Sequence, residues 1–198
     1  MPQPLPALQL RTPRLVLRPL KEGDRAAFVR AQEVSSAFWA PWSPAADVDS
    51  PDALFDRQLL RTLTGLETGK DLRLAAFLND GRLAALLGLN EIVRGAFHNA
   101  YAGWRVAADV VRQGIGTEAV AALLDAAFAP PPRGTGLHRV QANIIPENAP
   151  SLRLAERVGF RREGFARAYL HIAGEWRDHV MFAKVAEEHV TMYPQPTV

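Results

Sequence analysis

Apolar and polar positions change their spacing several times along the chain, and each change marks an element. Leu15-Val16-Leu17 is a short apolar run between Pro13 and Pro19 and reads as a strand. Asp24 is then placed to cap a helix in which Ala27, Phe28 and Ala31 recur at helical spacing. From Phe38 to Asp49 the chain carries Trp39, Pro41, Trp42 and Pro44, which predicts an irregular loop. Ser50-Pro51 joins a capping serine to a proline suited to the first helical position, so a second helix is predicted from there through Leu54, Phe55 and Leu59.

The centre is strand-rich. Leu72 to Leu78 reads as a strand, Asn79-Asp80-Gly81 as a turn, Arg82 to Val93 as a second strand and Tyr101 to Val106 as a third. A helix is predicted from Thr117, because Val120, Leu123, Leu124, Ala127 and Phe128 fall on one face. Pro130-Pro131-Pro132 stops it. Val140 to Ile145 reads as another strand. Asn148 caps a helix whose Leu154, Ala155 and Val158 share a face and which Gly159 ends. Gly164 to Val185 alternates in strand fashion around a turn at Ala173-Gly174, with Trp104 and Trp176 expected to pack in the core or on the sheet. No internal repeat is found. Strands interleaved with helices predict an α/β fold in which helices cover a mixed sheet. One domain is expected over residues 1–190, with 191–198 a loose tail.

Composition narrows the chemistry. Hydrophobic residues make up 48% and charged residues 22%, a globular balance rather than a disordered one. The formal net charge is +2, with Lys and Arg spread along the chain rather than gathered in a stripe, so nucleic acid is not an expected partner. The chain has no cysteine, which excludes disulfides, thiolate metal ligands and a cysteine nucleophile. Its five histidines are scattered without paired spacing, so no metal is expected. With neither a signal peptide nor an apolar run long enough to span a bilayer, a cytoplasmic location and no membrane partner are expected.

The segment Val111-Arg112-Gln113-Gly114-Ile115-Gly116-Thr117 lies between a strand and an amphipathic helix. Small residues let the backbone turn sharply and approach a ligand, and a helix N-terminus presents unpaired N–H groups and partial positive charge. Together these would cradle a pyrophosphate. The same glycines would equally serve a tight strand-to-helix turn. Neither the Gly-Lys-Ser/Thr of a P-loop nor the third glycine of a dinucleotide fingerprint is present.

Four segments, in order, resemble the GNAT N-acetyltransferases, and within them the branch of bacterial ribosomal-protein N-terminal acetyltransferases. They are Thr12-Pro13-Arg14-Leu15-Val16-Leu17-Arg18-Pro19-Leu20; Gly114-Ile115-Gly116-Thr117-Glu118-Ala119; Asn148-Ala149-Pro150-Ser151 with Leu154-Ala155-Glu156-Arg157-Val158-Gly159-Phe160; and Gly174-Glu175-Trp176-Arg177-Asp178-His179-Val180. The resemblance spans nearly the whole chain. It implies a mostly antiparallel sheet, splayed between two strands to admit coenzyme A, with helices on both faces. In the cradle the family usually has Arg or Gln and then Gly where this chain has Val111 and Arg112.

By that resemblance, acetyl-CoA is the co-substrate and lies in a V between the strand ending at Val106 and the strand Val140 to Ile145. Its contacts would come from Trp104, Arg105, Val106, Arg112, Gln113, Gly114, Ile115, Gly116, Thr117, Asn143, Asn148 and Ser151. An amine would attack the thioester directly, without an acyl-enzyme, which suits a chain lacking cysteine. Ser151 matches the position that protonates the leaving sulfur; as a first-turn serine it could instead bond only to backbone. Ribosomal-protein members carry a glutamate just before a late-strand tyrosine. Here the tyrosine is Tyr169, counted with the catalytic candidates, and Ala168 precedes it. Glu91 is the best replacement base, with His171, Asp178 and a water relay without a single base as alternatives. Trp39, Trp42, Glu91 and His171 would border the acceptor, with core packing or a dimer contact the competing reading for the two tryptophans. The acceptor is a protein N-terminus or a small amine such as a polyamine, amino acid, aminoglycoside or amino sugar. An acyl-CoA-binding sensor without turnover is the third reading. A homodimer is among the assemblies relatives form.

Overall fold

A computed structural model describes residues 4–5, 8–44 and 50–195. The strands are β1 (Leu10–Arg11), β2 (Leu15–Arg18), β3 (Leu72–Leu78), β4 (Leu83–Val93), β5 (Asn99–Val106), β6 (Arg139–Ile144), β7 (Arg161–Ile172) and β8 (Glu175–Val185). The helices are α1 (Arg25–Trp39), α2 (Pro51–Thr68), α3 (Ile115–Phe128) and α4 (Ala149–Arg157). The strands form one sheet in the order β1-β2-β3-β4-β5-β6-β8-β7. Every neighbouring pair is antiparallel except β5 and β6.

Strand alternation divides the sheet into two faces. Ala75, Phe77 and Leu86 join Leu20, Phe28 and Phe55 in a core beneath α1 and α2. Leu74, Leu87, Leu89, Val140, Ala142, Val180 and Phe182 join Val120, Leu123, Leu124 and Ala155 beneath α3 and α4. Burying a side chain such as Leu123 fully contributes about 1.5–3 kcal/mol. The predicted single apolar face of α3 is wider than expected. Ile115 and every residue from Glu118 to Ala127 are buried, since the outer side of the helix is covered by the β1–β2 turn and the C-terminal segment.

Pairing between β5 and β6 opens the functional cleft. The parallel register holds at Asn99↔Arg139, Ala100↔Val140 and Tyr101↔Gln141, and no further. Beyond it β5 stays with β4 to Val106, whereas β6 stays with β8 through Ile144↔Val180. Each strand follows its other neighbour, so the two diverge and leave a V along a β5 edge with no strand partner from Ala102 to Val106.

Some expectations need correction. The stretch read as a loop from Phe38 begins inside α1 and passes through a 3₁₀ turn at Ala40–Trp42; residues 45–49 lie outside the described residues. Proline ends the helix only after Trp39 has packed inward, where its Nε1–H donates to the Val106 carbonyl at 2.8 Å. Asp24 does not cap α1 with its side chain. Its carboxylate instead accepts from the Lys21 N–H and from both Nη atoms of Arg18. Trp176 is not a core residue: it stands 66% exposed on the β7–β8 hairpin, against the ring of His171. Residues 191–195 are tied down. Met192 and Tyr193 donate backbone N–H groups to buried Asp125, and the Gln195 side chain pairs with the Arg11 backbone. Among the described residues, no helix is long and apolar enough to cross a membrane.

Candidate active site

The V widens into a cleft of about 480 Å³. Ala102 to Val106 form one wall; Asn143, Ile144, Ile145 and the start of α4 form the other. Val111, Arg112, Gly114, Gly116 and Thr117 close one end, and Phe38, Trp39 and Trp42 lie along the α1 side. His179 of β8 completes the lining. Four arginines line this space, Arg105, Arg112, Arg153 and Arg157, while the described lining holds no Asp or Glu. Such a wall favours an anionic ligand.

The turn before α3 has the expected form. Gly114 takes φ +78°, which places the following amides at the start of the helix, where the first turn has no intrahelical acceptors. A Cβ on Gly116 would stand 2.9 Å from both Leu154 Cδ1 and Val106 Cγ2, so this glycine lets α3 approach the end of β5 and α4 closely. Arg112 holds φ +61° with a side chain in place of glycine. Ile115 is a core residue with its side chain turned from the cleft. Gln113 is likewise outside the lining; its side chain reaches the Asp109 carbonyl.

Glu118, one turn into α3, anchors the cradle. Its nearly buried carboxylate accepts from Thr12 Oγ1 at 2.5 Å, the Arg14 N–H at 2.9 Å and Arg14 Nε at 2.6 Å. Arg14 Nη1 in turn donates to the Gln113 carbonyl at 2.7 Å. Burial works against ionisation, yet the Thr12 and Arg14 bonds hold the Glu118 carboxyl below the usual glutamate range. The two motifs are thus one unit in space.

On the opposite wall, the Asn148 side chain accepts the Ser151 N–H at 3.2 Å and caps α4. The Ser151 hydroxyl has no hydrogen-bond partner among the described residues, so the backbone-bonded alternative for this serine is absent, and Ser151 lines the cleft. Trp104 packs against Phe160, with ring centroids 6.3 Å apart. Arg105 lies over the Trp39 ring at 5.3 Å. Burial, followed by the charges of Arg73 and Arg61, lowers the Arg105 pKa.

Four catalytic or acceptor-side candidates, Glu91, His171, Tyr169 and Asp178, also stand outside the lining. Glu91 is exposed at a β4 irregularity with φ +52°, its N–H bonded to Asp71. His171 is exposed near the hairpin tip. Tyr169 is not a lining residue, but its hydroxyl accepts from Asn143 Nδ2 at 2.9 Å and its ring meets His179 edge-on at 5.4 Å. Burial, with smaller contributions from Tyr101 and Glu91, raises its pKa. Asp178 accepts the Ala168 N–H at 2.7 Å. Phe38, Arg153, Arg157 and His179 were missed as site residues. Strand period could have found His179: Val180 and Phe182 point to the α3 core, which puts His179 on the other face with Asn143. Among the described residues, no group of three or more His, Asp or Glu is placed to hold a metal ion.

The family model for the acetyltransferase (GNAT) domain matches residues 14–161. The chain is 30% identical over 181 residues to the [ribosomal protein uS5]-alanine N-acetyltransferase of Escherichia coli, covering 90% of this chain and 91% of that one. It resembles the structure of Mycobacterium smegmatis RimJ in complex with CoA-disulfide at TM-score 0.81 and 32% identity, with 91% of this chain and 87% of that chain covered. The ribosomal-protein-S5-alanine acetyltransferase of Vibrio fischeri shares the fold at TM-score 0.81 and 24% identity, over 91% and 98% of the two chains.

Proposed function

The chain belongs to the GNAT acetyltransferase family, and from this premise we propose that it transfers the acetyl group of acetyl-CoA to a protein or peptide N-terminal amine. One observation carries the reading: a β5 edge with no strand partner and the cradle before α3 line a single arginine-rich cleft. Pantetheine amides can pair with the free edge from Ala102 toward Val106, whose carbonyl Trp39 occupies, while the diphosphate meets the first-turn amides of α3 and Arg112. The thioester then lies where β5 and β6 part, near Asn143 and Ser151.

An amine arriving past Phe38, Trp39 and Trp42 attacks the thioester carbon. The C–N bond forms as the C–S bond breaks, and the Ser151 hydroxyl gives its proton to the leaving sulfur. Asn148 fixes the first turn that carries Ser151. Support for a peptide acceptor comes from the similarity to a ribosomal-protein alanine N-acetyltransferase over most of both chains.

The test is thiol release from acetyl-CoA with three acceptors: a peptide starting with alanine or serine, its Nα-blocked form, and a panel of small amines. Turnover only with the free peptide supports the reading, whereas preference for a small amine replaces the acceptor. Ser151→Ala should lower kcat by about 10²-fold with little change in acetyl-CoA binding. Binding without turnover on any amine would make the protein an acyl-CoA sensor, a reading favoured by Arg112 in the cradle and by the lack of carboxylates among the described lining residues.

A further inference from the structure

We propose that His179 is the base of this reaction, its Nε2 taking the proton that leaves the amine nitrogen, directly or through one water. The proposal rests on the transferase reading above and supplies the group it lacks. With no Asp or Glu among the described lining residues, His179 is the one side chain there able to accept a proton near neutral pH. Glu91 is exposed on a bulge, Asp178 is engaged by the Ala168 N–H, and His171 lies against exposed Trp176.

The surroundings of the ring decide which nitrogen is free. Its Nδ1 lies 3.0 Å from the Arg177 carbonyl. A carbonyl only accepts, so Nδ1 carries the hydrogen and Nε2 keeps the lone pair. Nε2 has no protein partner among the described residues. The Tyr169 ring meets the imidazole edge-on, and Asn143 holds the Tyr169 hydroxyl, so the ring orientation is braced from β6 and β7.

The charged groups around it come from each neighbouring element. Arg177 and Asp178 flank it on β8, Tyr169 faces it from β7, and Arg153 and Arg157 of α4 share its cleft. Arg177 is itself paired with Glu147. Burial pushes the His179 pKa below the ordinary imidazole value; the bond to the Arg177 carbonyl opposes this, the Arg177 charge adds to it and Asp178 opposes it. The ring is therefore uncharged at neutral pH. In the balanced step, nitrogen bonds to the acyl carbon, its proton passes to Nε2, the C–S pair goes to sulfur and Ser151 protonates it. His179 then releases a proton to solvent and Ser151 regains one.

His179→Asn keeps a donor near the Nδ1 position and removes Nε2. In a protein that releases thiol with a peptide amine, kcat should fall by about 10²-fold or more while acetyl-CoA affinity holds, and the acidic limb of kcat/KM against pH should disappear. A folded variant that keeps its rate within about threefold and retains that limb overturns the proposal. Nitrogen-detected NMR of the unaltered protein gives a second reading that does not depend on the variant folding. A protonated Nδ1 and bare Nε2 are expected, and the opposite tautomer overturns the assignment. Absence of turnover by the unaltered protein with every amine would instead remove the transferase reading and, with it, the role of His179.

Discussion

Replacing Glu118 by Gln tests whether the β1–β2 turn and the cradle before α3 act as one unit. The side chain is 6% exposed, and its two oxygens take three hydrogen bonds from Thr12 and Arg14. Glutamine keeps one acceptor oxygen and turns an NH₂ group toward donors that the second oxygen satisfied. A hydrogen bond to a charged group contributes about 1.5–3 kcal/mol. Arg14 is 47% exposed and can rehydrate once released, which sets the expected loss near the lower end, about 2 kcal/mol. For a chain of this size that is a fall in Tm of about 4–8 °C. Loosening the Arg14 to Gln113 tie should pass about 0.5–1 kcal/mol to the ligand, weakening acetyl-CoA binding roughly 2–5-fold. The difference must also depend on pH. A carboxyl whose folded pKa lies below its unfolded value, 4.5 for glutamate, contributes stability that is fully present above the unfolded value and is lost as pH falls through the folded one. The gap between wild type and variant should therefore close as pH falls from about 6 toward about 3. Differential scanning calorimetry across that range and calorimetric titration with acetyl-CoA provide the measurements. A Tm change under about 2 °C at neutral pH, or a gap that ignores pH, refutes the reasoning.

Arg112→Gly should raise stability by about 0.5–1 kcal/mol, since relief of a left-handed conformation outweighs the extra freedom of glycine in the unfolded chain. It should also weaken acetyl-CoA binding at low salt more than at high salt, which titrations at two ionic strengths would show. Removing residues from Thr191 onward takes the Met192 and Tyr193 amides from the buried carboxylate of Asp125, leaving His189 Nε2 as its partner at 2.7 Å. Urea unfolding should show a loss of about 2–4 kcal/mol.

Local chemistry was legible where an element depends on neighbours in sequence. The Leu72–Leu78 strand has the bounds its pattern predicts. Ser50 caps α2 by accepting the Ala53 N–H, and Ala173 and Gly174 both take positive φ at the hairpin turn. What escaped was set by distant partners. β1 is two residues long and exists through its register with β2. Two prolines after Trp39 signalled a loop, but its ring had a core position and its N–H a carbonyl on β5, so α1 extends to meet them. Of the two readings for Trp176, core or sheet packing, its strand position selects the second, on the hairpin surface against His171.

The site shows the same division between what neighbours in sequence set and what distant partners set. A carboxylate is a conspicuous candidate in a sequence, but Glu91 and Asp178 both sit where backbone demands engage them: the Glu91 N–H on Asp71 at an irregular turn of β4, and the Asp178 oxygen on the Ala168 N–H at a break in the β7–β8 register. His179 follows Asp178 directly, and a strand sends adjacent side chains to opposite faces. Once Val180 is known to enter the α3 core, His179 must fall on the side of Asn143, where the V opens. Its neighbour Asp178 must then fall on the other. The same two-residue period that makes one of them a structural acceptor turns the other, a nearly buried ring, to the cleft lining, and neither position can be assigned without knowing which strand face is apolar.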